Sequence, residues 1–398
     1  MDKASRLDWA RELSVPVRTR TAPPLHRIFA VQTRDTRRFV LDLNYAYPGG
    51  TSAALAAIRR HLPTTALSSQ FARTTCAPSE LLPLLTKEVS PIHRIWPDFS
   101  LAPLVTVTSG IPTTPQPLAS GRKTIWAVLD TGIDRTHEHF RQHHNLQLPG
   151  GIEHRSFTGN NPLSDAYDHG THTAAIIAGA SPKASGIAPE ATLLSLQVMD
   201  EHGHADSAAV IAALAYIKRV NDTAGTLRIH GANISLGYDF EPAWFAAGHT
   251  PVCKAVNDLA ATGVLVVVAA GNTGTYQGGI TDPGNAEHAL TVGSAHSTTP
   301  TSHGVSFFSA VGPTRDGRVK PDLVAPGEQL VSATRTGYEP RSGTSVAAAY
   351  TSGVAAALAV ASAPAALKPL LMRTATNLQR DRYYQGAGFI NGTAAREK

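Results

Sequence analysis

Three short stretches in a fixed order hold the groups of this chain with the types and spacing to do chemistry: Asp130-Thr131-Gly132, His169-Gly170-Thr171-His172 and Gly343-Thr344-Ser345. Together an aspartate, a histidine and a serine turn a hydroxyl that is inert at neutral pH into a nucleophile for acyl transfer. Any one stretch recurs by chance in a glycine-rich chain, so the joint order is what discriminates. In that chemistry Asp130 accepts the Nδ1 proton of His169. His169 takes the proton of Ser345 as general base and returns it to the leaving amine. Ser345 opens the apolar run Val346 to Val360. Its peptide N–H therefore belongs to the unpaired N–H groups of a helix start, which favour a developing oxyanion. His172 lies on the same helix face as His169, but no third ligand and no His-Glu-x-x-His pattern accompany it, so it reads as structural and no metal is expected there.

A fourth stretch, Ala269-Ala270-Gly271-Asn272, closes the apolar run Val264 to Val268. With the order Asp, His, Ser it resembles the subtilisin family of serine proteases. Ser235-Leu236-Gly237, Lys320-Pro321-Asp322-Leu323-Val324-Ala325-Pro326-Gly327 and Gln385-Gly386-Ala387-Gly388 also look like segments of that family, and the likeness spans roughly residues 120 to 395. The resemblance implies a serine endopeptidase working through an acyl-enzyme, with Asn272 and the N–H of Ser345 as the oxyanion hole. It implies that Ser235, Leu236 and Gly237 form the edge on which a peptide pairs, with Gly203, His204 and Ala205 as the opposite rim. Thr281 and Asp282 fall near the floor of the pocket for the residue before the scissile bond, where an inward Asp282 would favour basic residues. The related Ser-Glu-Asp peptidases are excluded by His169 and Asn272.

The chain departs from the family at two places. Val346-Ala347-Ala348-Ala349-Tyr350 stands where the family reads Met-Ala-Ser-Pro-His, and Ala349, unlike proline, can donate to the carbonyl of Ser345. Slower hydrolysis with relatively favoured aminolysis is the expectation, which suits a dedicated maturation protease or peptide ligase as an alternative. The family's strong calcium site takes an aspartate where this chain has His139, and an Asn-bearing loop where 178–188 has none. No cofactor is expected, and a weak cation site near Asp322 is left open. The remaining alternative is a non-catalytic peptide-binding protein on a protease fold.

Positioning these groups requires a sheet whose strand ends converge. Apolar strands (124–129, 192–198, 233–236, 265–269) alternate with helices after His169, around 210–220 and around 253–261. Continuous rather than alternating apolar strands suit a doubly wound, mostly parallel α/β sheet with helices on both faces, where functional groups gather at the carboxyl ends of the strands. Ahead of it, Phe39, Leu41, Leu43 and Tyr45 alternate as a strand, Thr51 starts a helix through Leu62, a second helix follows Ser79, and Ile92 to Trp96 forms a strand. By pattern and position this resembles the family's small ferredoxin-like α+β inhibitory prodomain. The expected division is an irregular lead-in (1–25), prodomain (26–101), Pro/Thr/Ser-rich linker (102–120) that a prodomain cut would fall in, and catalytic domain (121–398).

Composition excludes other classes. The chain has 398 residues, of which 42% are hydrophobic and only 16% charged, with 33 Gly and 27 Pro, as in a loop-rich enzyme rather than a coiled coil. A net charge of +5 without Lys/Arg runs interleaved with aromatics gives no nucleic-acid footprint. Two cysteines, Cys76 and Cys253, are too few for a disulfide framework. No apolar leader or membrane-length run occurs. The expected partners are a peptide or protein substrate and the chain's own prodomain, with no nucleic acid and no membrane, in a monomer. It is cytoplasmic as written, or secreted if a leader has been removed.

Overall fold

The computed structural model describes residues 13–31, 35–108, 111–238, 247–299 and 302–398. It divides into two compact units, one of 1–99 with 206–215 and one of 100–205 with 216–398.

The first unit carries four strands, Arg37–Leu43 (β1), Thr64–Ala66 (β2), Phe71–Cys76 (β3) and Ile92–Pro97 (β4), in one antiparallel sheet ordered β2-β3-β1-β4. Helices Gly50–Arg59 and Pro78–Leu85 connect β1 to β2 and β3 to β4. This β-α-β-β-α-β path is ferredoxin-like connectivity. The β2–β3 hairpin is absent from the sequence-based expectation because Thr64–Ala66 is short and has no apolar alternation. One face packs Phe39, Leu41, Leu43, Ile58, Leu81 and Ile95 into a single core. The lead-in is not irregular throughout: Val15–Arg20 is a helix with Pro16 in its first turn, and a second short helix, His26–Val31, follows at the start of the expected prodomain. Val17, Leu25 and Phe29 join the core, which holds these short helices in place. Residues 1–12 of the lead-in lie outside the described residues.

In the second unit the strands are Ser100–Pro103 (β5), Ile125–Asp130 (β6), Arg155–Ser156 (β7), Thr192–Gln197 (β8), Ala205–Asp206 (β9, entering from this unit at Ala205), Gly231–Ile234 (β10), Leu236–Tyr238 (β11), Leu265–Ala269 (β12), Leu290–Thr299 (β13), Ser302–Val305 (β14), Leu323–Pro326 (β15), Leu330–Thr334 (β16) and Gly337–Arg341 (β17). Eight of them form the main sheet, ordered β14-β13-β12-β10-β6-β8-β7 with β15 beside β13. Every pairing is parallel except β13–β14. β6 and β12 are buried along their whole length, the consequence of a sheet covered on both faces. Helix Thr344–Leu358 is buried at every residue but Tyr350. Its run of alanine and glycine is what allows a helix to lie inside the core without displacing larger side chains.

The expected α/β architecture is therefore present, with β6 inside the sheet between β10 and β8. Asp130 is the last residue of β6, and Asn272 follows the end of β12 by three positions. Two smaller sheets, one of two strands and one of three, lie off the main sheet. β16 and β17 form a hairpin, and β5 sits between β11 and β9.

Candidate active site

Asp130 is 1% exposed, and its Oδ1 accepts from the backbone N–H of Thr131 at 2.8 Å and from His169 Nδ1 at 2.7 Å. The bond makes Nδ1 the protonated nitrogen and leaves Nε2 with its lone pair, the state a general base needs. Nε2 is buried and has no hydrogen-bond partner among the described residues. The turn that aims the carboxylate inward uses Gly132 at φ +116°, where a Cβ would stand 2.2 Å from the carbonyl of Ser164.

His169 opens helix His169–Ile177 directly after Asp168, whose φ of +72° is left-handed. A network that sequence reasoning missed secures this junction. The carboxylate of Asp165, 3% exposed, accepts from Thr131 Oγ1 (2.8 Å), Asp168 N (2.9 Å), Thr171 N (2.8 Å) and Thr171 Oγ1 (2.7 Å). Thr131 Oγ1 in turn accepts from Gly170 N at 2.9 Å. The threonines of both motifs thus converge on one acid, which ties the strand end of Asp130 to the helix start of His169. Burial pushes the Asp165 carboxyl above its ordinary range, against the hydrogen bonds that pull it down. An Asp four residues before the histidine, with threonines after both motif residues, was the available signal.

Ser345 is the second residue of helix 344–358. Its Oγ donates to the carbonyl of Ser235 (2.8 Å) and accepts from the N–H of Leu104 (3.0 Å), so the hydroxyl is not bonded to His169 here. Asn272 Oδ1 accepts from Thr344 N (3.0 Å) and Thr344 Oγ1 (2.9 Å). Both bonds fix the amide plane and leave Nδ2, buried and without a partner among the described residues, as a donor beside the helix start.

A segment of the chain itself runs through this place. β5 pairs antiparallel with β11, Leu101 opposite Tyr238, Ala102 opposite Gly237 and Pro103 opposite Leu236. Leu104 continues the pairing through its N–H to Ser235 O (3.3 Å), while its carbonyl accepts from the N–H of Ser345 (3.3 Å). Thr106 then pairs with Ser342, N–H to O at 2.8 Å. The peptide bond between Leu104 and Val105 is thereby held against the nucleophile candidate from both sides, and a Cβ on Gly343 would lie 2.2 Å from the Leu104 carbonyl oxygen. The expectation of an irregular linker beginning at 102 is corrected here, since 100–103 is a strand whose pairing is with backbone.

Ser235, Leu236 and Gly237 are the residues whose backbone this segment pairs with. Leu104 Cδ1 and Thr281 Oγ1 both border Gly237, which puts Thr281 beside the Leu104 side chain. Asp282 does not offer a free carboxylate there. Its Oδ2 accepts from Thr250 Oγ1 and its Oδ1 from Asn285 Nδ2, both at 2.8 Å, and it is fully buried. The basis for a basic preference is therefore removed. Gly203 and His204 form the turn before β9, with Gly203 over the Tyr167 ring and His204 bonded to Asp200, so Ala205 rather than either of them begins the rim strand.

His172 and His139 are neutral structural rings. Burial, then the charge of Arg341, lowers the His172 pKa to about 3, and its Nε2 bonds to Glu339 O. Burial lowers His139 to about 4, with Nε2 on the carbonyl of Ala175. At Asp322, where a weak cation site was left open, Lys320 Nζ sits 2.6 Å from Oδ2 and Lys368 Nζ 3.3 Å from Oδ1, so two side-chain amines hold the carboxylate. Among the described residues no three His, Cys, Asp or Glu side chains gather as a metal site, and no helix is long and apolar enough to cross a membrane. Cys76 and Cys253 are buried and unpaired as disulfides.

Comparison with known proteins gives the arrangement its family. The subtilase family (peptidase S8) matches residues 121–389. Serine protease AprX of Bacillus subtilis (strain 168) is 26% identical over 401 residues, 89% of this chain and 86% of that protein. Subtilisin Savinase of Lederbergia lenta is 33% identical over 278 residues, 68% of this chain and 89% of that protein. The solved structure of sphericase superposes with a TM-score of 0.58 at 27% identity, covering 70% of this chain and 93% of that one. The chain belongs to the subtilase family and is a subtilisin-like serine endopeptidase, a hydrolase of peptide bonds.

Proposed function

We propose that Asp130, His169 and Ser345 are the catalytic residues and that the first bond they open is Leu104–Val105 of the same chain. The observation that carries this reading is the position of Leu104, its carbonyl on the N–H of Ser345 and its own backbone N–H on Ser345 Oγ. His169 Nε2 takes the hydroxyl proton as Ser345 Oγ, rotated from Ser235 O, adds to the Leu104 carbonyl. The N–H of Ser345 and Asn272 Nδ2 receive the oxyanion. The C–N bond then breaks, His169 protonates the amine of Val105, and water releases Leu104 as a carboxylate by the same route in reverse. Leu104 in this place, with Asp282 engaged elsewhere, supports an aliphatic residue before the scissile bond.

On this reading the chain is a zymogen. Residues 1–104 end in a peptide that fills the unprimed side of the cleft, and the first unit serves as an intramolecular inhibitor. Substrate and enzyme share one chain, so processing is unimolecular and its half-time independent of protein concentration. Intact mass of purified wild type against Ser345→Ala is the test. Wild type should lose 104 of the 398 residues of a 41.9 kDa chain, roughly 11 kDa, with Val105 as the new N-terminus, while Ser345→Ala stays whole. An intact wild type, or identical trimming of both proteins, would contradict the proposal.

A further inference from the structure

At the edge strand of the main sheet, three arginines gather around one tyrosine. Tyr216, on helix Ser207–Ala224, is 4% exposed. Its hydroxyl accepts from the N–H of Glu153 at 2.8 Å and donates to the carbonyl of the same residue at 2.9 Å. These two bonds tie the helix to the start of β7, whose Arg155 guanidinium stands 4.6 Å from the centre of the Tyr216 ring. Arg219 reaches 5.5 Å from the same ring centre. Arg228, three residues ahead of β10, donates Nη2 to the carbonyl of Gly150 at 2.8 Å. Gly151 follows at φ +83°, where a Cβ would come 3.2 Å from Arg228 Nη1, so only a glycine leaves that guanidinium its room. The three arginines and Thr223 border one cavity of about 450 Å³, all of it within the second unit. Strand β8 lies between β7 and the β6 that carries Asp130.

The charges around this cavity do not balance. Glu153 approaches Arg155 Nη2 at 3.2 Å but is 72% exposed. Asp222, the nearest acid on the helix, is taken by Lys218 at 2.6 Å. Arg219 makes no ion pair or hydrogen bond among the described residues. A guanidinium stays charged at every accessible pH, so three positive charges against one carboxylate leave the cavity a net charge of +2.

We propose that this cavity is a binding site for a phosphoryl group, with Arg155, Arg219 and Arg228 as its donors. A phosphoryl group near neutral pH carries a charge of about −1.5 to −2 and three acceptor oxygens, which matches the excess. A carboxylate would cancel only half of it. Planar guanidinium forks pair bidentately with phosphate oxygens. Arg155 and Arg228 each give one nitrogen to the protein and keep most of their five N–H donors. The Tyr216 ring holds Arg155 and Arg219 by cation–π attraction, which spends no N–H at all. Arg155 is 45% exposed, so the group can arrive free in solution or on a phosphorylated side chain of a peptide.

The experiment titrates inorganic phosphate into the full chain as Ser345→Ala, which keeps proteolysis out of the measurement, by calorimetry in about 0.15 M chloride. One saturable site with a Kd of about 1 mM or tighter is expected. Arg219→Gln and Arg155→Gln should each weaken binding by at least about tenfold. Lys218→Gln removes the same charge from the adjacent position of the helix and should bind within about twofold of the parent, since screening mutes an exposed charge outside the cavity. Equal weakening by Lys218→Gln and Arg219→Gln, or no saturation below about 20 mM, overturns the proposal. A second measurement needs no variant: the Nε–Hε resonances of the three arginines should shift together and saturate at one phosphate concentration, and shifts confined to other groups overturn it. Ala-phosphoserine-Ala against Ala-Ser-Ala separates the two sources. Binding of the phosphopeptide tighter than that of inorganic phosphate assigns the site to phosphorylated chains, equal or weaker binding assigns it to free phosphate, and binding of neither probe overturns the site.

Discussion

The closest test of where the scissile peptide lies is Gly343→Ala. A Cβ built on Gly343 falls 2.2 Å from the Leu104 carbonyl oxygen, 3.0 Å from Val105 Cα and 3.2 Å from the Leu104 carbonyl carbon. The shortest comfortable C···O contact is about 3.3 Å, so the carbonyl must retreat by about 1 Å. All three neighbours are backbone atoms of one peptide, and no side-chain rotation relieves them. A displacement of that size from the attack geometry costs about 10²-fold in rate, or about 2.7 kcal/mol of transition-state stabilisation. Gly343 also sits at φ +149°, so alanine adds backbone strain of about 1–3 kcal/mol that lowers stability without touching the chemistry. Gly263 separates the two effects, since its φ is +95° and nothing lies within 4 Å of its Cβ position. Processing followed by intact mass at a temperature where both variants are folded should run about 10²-fold slower in Gly343→Ala and near wild type in Gly263→Ala. If Gly343→Ala processes within threefold of wild type, the Leu104–Val105 peptide does not react where the structure seats it.

Asn272→Ala should lower kcat by about 10²–10³ with little change in KM, a magnitude carried over from subtilisin, itself a member of this family, rather than derived. Asn272→Asp keeps both acceptor bonds to Thr344 and should be similarly impaired; full activity in it would remove the donor role. Acid should destabilise the fold. His139 and His172 titrate near 4 and 3 when folded but near 6.5 when unfolded, so the stability their neutral rings contribute above pH 6.5 is lost as pH falls toward 4. The loss is on the order of 3 kcal/mol for each at pH 4, and a denaturant midpoint of Ser345→Ala that is flat from pH 7 to 4 would refute it. Lys320→Met strips Asp322 of its 2.6 Å partner inside the core and leaves Lys368 at 3.3 Å. A cost of about 3 kcal/mol is expected by chemical denaturation, and one below about 1 kcal/mol would mean the pair is not a stabilising contact.

What could be read in the residues beforehand, and what could not, divides by the range of the interactions. Asp130 and Asn272 were legible because each is announced by its own neighbours, an apolar strand that must be buried and a glycine where the backbone has to turn, whereas His169 was legible only from its place between the other two motifs. The parallel sheet followed from the same local fact, strands apolar on both faces. Asp282 was misread because its carboxylate is committed to Thr250 and Asn285, and Thr250 is distant in the chain. For Asp322 the partner was visible nearby, since Lys320, which holds its carboxylate, is only two positions earlier in the sequence. The strand 100–103 left no signal at all. Its partner is the backbone of 236–238, a contact that asks nothing of side-chain pattern and tolerates the proline at 103. The same property lets a peptide cleft accept many sequences, and it is why the segment that fills this one reads as an ordinary Pro/Thr-rich linker.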